Sequence, residues 1–196
     1  MSELYTVTNQ GEPPVTVVEF KDFRKLPQTI NSQNGVITTI LDAATAYGEA
    51  YTGKDFRDNV YTLRLDDFPT GCPILIHRSP VASITSITYL VDDVVTTLDP
   101  ATYYMLPNLQ EAEVLLAFDK SWPTDGDGVI KGRQGSIVVT FVTKAFSCDG
   151  RIRESILEHA NALYSERGDC SSGAVRKAAA TSGATDLYDQ YRTARI

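Results

Sequence analysis

Gly48-Glu49-Ala50-Tyr51-Thr52-Gly53-Lys54 fills the first seven places of a phosphate-binding loop. In such a loop backbone N–H groups cradle phosphates and the lysine reaches the outer ones. The eighth place needs Ser or Thr for magnesium, and this chain has Asp55. The context is also inverted, because the stretch closes a helical pattern and precedes a strand. It predicts no nucleotide site. His77 and His159 are the only histidines. No Ser elbow, HExxH or Cys–His pairing accompanies them, so neither a triad nor a zinc site is expected. Asp119, Asp125 and Asp127 crowd one loop but lack the ligand spacing and closing Glu of an EF-hand. Arg167-Gly168-Asp169 spells the integrin-binding tripeptide, and Gly168 as a helix stop accounts for it. Ten Tyr and Trp122 would suit a sugar platform, although aromatics in a small β domain more often fill the core. The expectation is a protein with no catalytic residues, no cofactor and no metal.

The totals fit that reading. The 196 residues can bury one sizeable core. No apolar run approaches the ~18 residues of a membrane span. The start, Met1 to Gln10, shows no secretory pattern. Cys72, Cys148 and Cys170 are odd in number and scattered, which fits synthesis in a reducing cytoplasm. Net charge is −7. Residues 151–196 carry seven Lys/Arg and six Asp/Glu, net +1, and the remainder is net −8. Such a body repels phosphate and is a poor nucleic-acid grip.

The elements that would position these residues can be read in order. Residues 1–14 read as an extended arm. Thr16 and Glu19 form a capping box ahead of Phe20, Phe23 and Leu26, and Pro27 ends that helix. Val36, Ile40, Ala44, Tyr47 and Tyr51 then mark a long helix, with Asn34 as N-cap and Gly53 as left-handed stop. Beside its stripe runs a line of small residues, Ala43, Ala46 and Ala50. Alanine is the best helix former, and it also lets another helix approach closely. The period then changes to two at Tyr61, Leu63 and Leu65. Short strands follow at 74–76, 84–91, 94–98, 103–106, 114–116 and 136–143, with a tight hairpin at Asp92-Asp93 and a turn at Asp99-Pro100. A last long helix from Asp149 presents Ile152, Ile156, Leu157, Ala160, Leu163 and Tyr164. From Gly168 to Ala184 the composition is that of a linker. A short helix over 185–195 ends the chain, marginal alone and in want of a partner surface. The class is α+β: a helical bundle over 15–58 and 149–168, an inserted antiparallel β domain over 59–148, and a linker with a C-terminal helix over 169–196.

Taken together, the segments resemble the tailed-bacteriophage head–tail connector family, also called adaptor or head-completion proteins. The likeness covers roughly residues 13–167 and lies in order and local wording. Pro14-Val15-Thr16 opens it, followed by Ile40-Leu41-Asp42-Ala43-Ala44 through Tyr47–Gly53. Thr62-Leu63-Arg64-Leu65, Asp67-Phe68-Pro69, Ile74-Leu75-Ile76 and Ser79-Pro80-Val81 come next, then Ser83 to Tyr89. Leu98-Asp99-Pro100 with Tyr103, Ser121-Trp122-Pro123, Ile137 to Phe141 and Ala162-Leu163-Tyr164 complete it.

The resemblance implies a homo-oligomeric ring, a dodecamer, docked under the portal protein at the head–tail junction of a virion. It implies a platform for the tail or a tail-completion protein, and a channel through which double-stranded DNA passes without specific binding. It carries over no catalytic residues. The C-terminal segment contacts the portal in this family, which makes Leu187, Tyr188, Tyr191, Arg192 and Arg195 the candidate portal interface. A head-to-tail ring needs two different faces on each copy, and the line Ala43, Ala46 and Ala50 becomes a candidate for one. The alternatives are another neck or tail protein, such as a tail terminator, and a carbohydrate-binding β module resting on Trp122.

Overall fold

Thr16 opens the first helix as a capping box requires. Its backbone N–H donates to Glu19 Oε2 at 2.8 Å, and the Glu19 N–H donates to Thr16 Oγ1 at 3.3 Å. Glu19 also pairs with Arg153. The Thr16 backbone bond is the main cause holding the Glu19 carboxyl below its ordinary pKa. Helix α1, Val17–Phe23, ends in a Schellman turn. There the Leu26 N–H reaches the Lys21 carbonyl at 2.8 Å and the Lys25 N–H the Asp22 carbonyl at 3.0 Å. The left-handed place is held by Lys25, at φ 56°. Glycine adopts that φ with no Cβ penalty, so Lys25→Gly should raise stability by about 1 kcal/mol. A urea midpoint that stays put would contradict this.

The computed structural model describes residues 4–107, 111–124, 126, 129, 133–146, 150–166 and 173–192. These fall into two units: Glu12–Phe56 with Phe146–Ile196, and Met1–Gly11 with Arg57–Ala145. The first is helical. Helix α2, Asn34–Thr52, stops at Gly53, φ 74°, whose N–H donates to the Glu49 carbonyl at 3.0 Å. Asn34 is its first residue rather than its N-cap. Gln33 takes the cap position with no side-chain cap bond, and its carboxamide oxygen accepts from the Tyr164 hydroxyl instead. The buried line of α2 runs through Ile37, Leu41, Ala44, Thr45, Gly48 and Thr52, so Val36, expected in the stripe, lies outside it and is exposed. Helix α3, Gly150–Ser165, packs Ile152, Ile156, Ala160 and Tyr164 into the same core as Phe20, Ile37 and Leu41. Asp149 and Gly168, its expected bounds, lie outside the described residues.

The stretch read as linker contains a helix. Helix α4 spans Ala174–Thr181 with Ala178 and Ala179 fully buried, and α5, Ala184–Asp189, follows a left-handed Gly183. The terminal helix is thus shorter than expected and preceded by a second one.

The other unit is antiparallel β. A five-stranded sheet has the order β1-β2-β8-β4-β5, with β1 Leu4–Asn9, β2 Val60–Leu65, β4 Val81–Val91, β5 Val94–Thr97 and β8 Ile137–Thr143. A three-stranded sheet has the order β3-β7-β6, with β3 Ile74–Ile76, β6 Tyr103–Leu106 and β7 Ala112–Leu116. The N-terminal arm is therefore a paired strand over part of its length, with Tyr5 opposite Leu63. Alternation holds in the central strands: Tyr61, Leu63 and Leu65 of β2 and Ile137, Val139 and Phe141 of β8 face the core. Tyr61 stacks on Phe141 with ring centres 5.4 Å apart. Asp92 and Asp93, at φ 48° and 66°, form the two-residue turn between β4 and β5. Both central residues of a type I′ hairpin need positive φ, and aspartate tolerates it.

Candidate functional site

The residues singled out from the sequence fall into different surroundings. Lys54 is 7% exposed and its ammonium lies 4.8 Å over the Phe146 ring. Burial lowers its pKa. It follows α2 and precedes β2, the reverse of a phosphate-binding loop. His77 is exposed, with Nδ1 2.9 Å from Glu111 Oε2. Trp122 is stacked on Phe68 at 5.2 Å in the core of the β unit, which removes it as a sugar platform. Asp125, Asp127, Cys148, Cys170 and the tripeptide at 167–169 lie outside the described residues.

His159 is a packing residue. It is fully buried in the helical unit, with the Tyr47 ring edge-on at 5.1 Å. Its Nε2 donates to the Val175 carbonyl at 2.8 Å, which ties α3 to the first turn of α4 and places the proton on Nε2. Its Nδ1 has no hydrogen-bond partner among the described residues. Burial lowers the imidazole pKa from 6.5. Protonation is then less favourable in the folded chain than in the unfolded one. Stability is whole above that ordinary value and falls as pH drops through it. Melting temperature should decline between about pH 7.5 and about pH 5.5, more steeply than in His159→Gln. Parallel profiles for the two proteins would contradict this.

The C-terminal residues expected to meet another protein are mostly engaged at home. Tyr188 is fully buried, its ring 6.3 Å from Phe56 and 6.3 Å from Tyr51. A Cβ on Gly48 of α2 would come within 2.8 Å of the Phe56 ring and 2.9 Å of the Tyr188 ring. A glycine in mid-helix costs about 1 kcal/mol against alanine, and here it leaves room for two aromatic rings. The Tyr51 hydroxyl donates to Asp189 Oδ1 at 2.7 Å, and that bond raises its pKa. The Arg192 guanidinium lies 5.3 Å over the Tyr51 ring. Tyr191 meets Phe146 edge-on at 5.8 Å, and Arg151 donates to Gln190 Oε1 at 3.0 Å. Leu187 is half-buried and Arg192 exposed, while Arg195 lies outside the described residues.

On α2 the alanine line grades outward, with Ala43 half-buried and Ala46 and Ala50 exposed. Periodicity missed the largest apolar exposures among the described residues of the β unit: Phe118 at 98%, and Val94 and Val95 at 64% and 68%. The signal for Phe118 was present as an aromatic in a polar loop. The arrangement offers packing faces. Among the described residues no cluster of His, Cys, Asp and Glu could hold a metal ion. No described helix is long and apolar enough to cross a membrane.

Solved structures carry the same arrangement along nearly the whole chain. The neck of an empty gene transfer agent (GTA) particle, computed with C6 symmetry, contains a chain that matches with a TM-score of 0.76 at 19% identity, covering 98% of this chain and 97% of that one. This chain has the fold of a particle-neck protein. A chain of the virion of a native GTA particle matches this neck fold with a TM-score of 0.73 at 18% identity, over 98% and 97% of the two chains. The neck of a native GTA particle computed with C12 symmetry gives 0.68 at 19%, over 97% of each. The likeness to head–tail connectors read in the segment order is borne out in the fold, and the neck fold spans β1 and the C-terminal helices too. No family model and no curated protein matches the chain.

Proposed function

We propose that this chain is a structural head–tail connector, or adaptor, of a tailed phage or phage-like particle. A ring of copies, a dodecamer, sits under the portal, extends the DNA channel and gives the tail its docking platform. The observation that carries the reading is the whole-length neck fold, found in a neck of C12 symmetry. The physical chemistry agrees. The chain presents packing faces, and an acidic body does not hold DNA phosphates as they pass. In this reading Leu187, Tyr191, Arg192 and Arg195 meet the portal while Tyr188 anchors α5 from within. Ala43, Ala46 and Ala50 belong to a face between copies.

The test is to mix the purified chain with its portal and image the product. A ring coaxial with the portal is expected. A chain that ignores the portal ends the proposal, and a ring that binds only tail tubes makes it a tail terminator instead.

A further inference from the structure

Phe118 is 98% exposed, on the turn that leaves β7. That turn is not slack. The Ala117 N–H donates to the Thr102 carbonyl at 2.9 Å, the Lys120 N–H returns to the Ala117 carbonyl at 3.1 Å, and Asp119 takes φ 60°. A hydrogen-bonded turn therefore holds an aromatic ring out in water. The same unit contains an open, mostly apolar cavity of about 320 Å³ walled by Leu65, Pro69, Thr70, Cys72, Pro73, Ile74 and Leu75. Leu65 and Ile74 are its buried floor, and Cys72 is exposed. Pro69 and Pro73 stiffen its wall, since their φ is fixed.

We propose that the Phe118 ring of one copy seats in the cavity of the next. This rests on the ring reading and names a contact that builds the ring. The cavity wall offers few polar groups to orient a small ligand, which a small-molecule site needs. It fits an apolar side chain better. Phe118 does not fill the cavity of its own chain, since its surface is almost wholly open. A knob and a hole at different places on one chain make a head-to-tail contact, which repeats until the rotation closes. An exposed aromatic of this size is unfavourable in every free copy, and seating it removes that cost.

Cys72 makes the contact directly testable. In Lys120→Cys/Cys148→Ser/Cys170→Ser, which keeps the Phe118 ring and leaves Cys72 as the one natural thiol, a short bismaleimide should join the new thiol to Cys72 of the next copy. Denaturing gels should then show a ladder of multimers, absent when Cys72→Ser is added to the same variant. Product that runs only as monomer, whether joined within one chain or not joined, overturns the proposal. Phe118→Asp should fold and melt like the wild type, because the side chain is free of its own core, yet lose the ring by tenfold or more at equal concentration. A ring that persists in Phe118→Asp overturns the contact and leaves the connector reading standing. A wild type that never forms a ring overturns the connector reading, and this contact with it.

Discussion

Gly48→Val should release the C-terminal helix and cost about 3 kcal/mol or more, at the upper end of overpacking penalties. The added Cβ would lie 2.8 Å from Phe56 Cε2 and 2.9 Å from Tyr188 Cζ, both in rings that are at most 1% exposed. Neither ring can step aside, for Phe56 and Tyr188 stack on each other. Two further methyl groups enlarge the overlap. Gly48→Ala should lose less, because alanine's helix propensity returns about 1 kcal/mol. The strain should leave through α5, whose other holds are the small buried Ala184 and the peripheral contacts Tyr51 to Asp189, Arg192 over Tyr51, and Arg151 to Gln190. Hydrogen exchange over residues 184–189 should therefore speed up before the rest of the helical unit is affected. A double-mutant cycle with Tyr188→Ala separates the effects, since removing the ring should cancel most of the added cost. Additive losses would show that the two positions do not share a space.

Phe141→Ala should cost about 3–5 kcal/mol, a large share of a typical domain's stability of about 5–15 kcal/mol. Phe141 is fully buried on β8, stacked with Tyr61 of β2 and edge-on to Tyr5 of β1 at 6.4 Å. Its truncation opens a cavity between the two sheet neighbours that flank it and removes the ring that Tyr5 meets. The edge strand β1 should loosen most, because its remaining residues are largely exposed. The check is the urea midpoint together with exchange of the β1 amides. A loss under 1 kcal/mol would mean that the sheet repacks around the gap.

What was legible in the sequence was local. The capping box joins residues three apart, and alternation in β2 and β8 is a property of a few neighbours. The Asp92-Asp93 hairpin needs only its own two positive φ values. What was hidden depends on distant partners or on small side chains. Helix α4 buries Ala178 and Ala179, and alanine beside glycine and serine reads as linker because it adds little apolar area. Strand β1 finds β2 more than fifty residues away, and its exposed faces give no strong alternation. The burial of Tyr188 depends on Gly48, 140 positions earlier. A glycine inside a strong helical pattern was the available sign that something approaches closely there. The candidate site followed the same rule. Leu187, Tyr188, Tyr191, Arg192 and Arg195 were singled out by their chemistry alone, and that Tyr188 turns inward from α5 is a tertiary fact.

The account stands or falls on assembly, and native mass spectrometry of the purified chain mixed with portal reads it directly. The prediction is a discrete species containing twelve copies of the 21.5 kDa chain beside the portal ring. A chain that stays at single-copy mass, with portal present in excess, would contradict the connector reading.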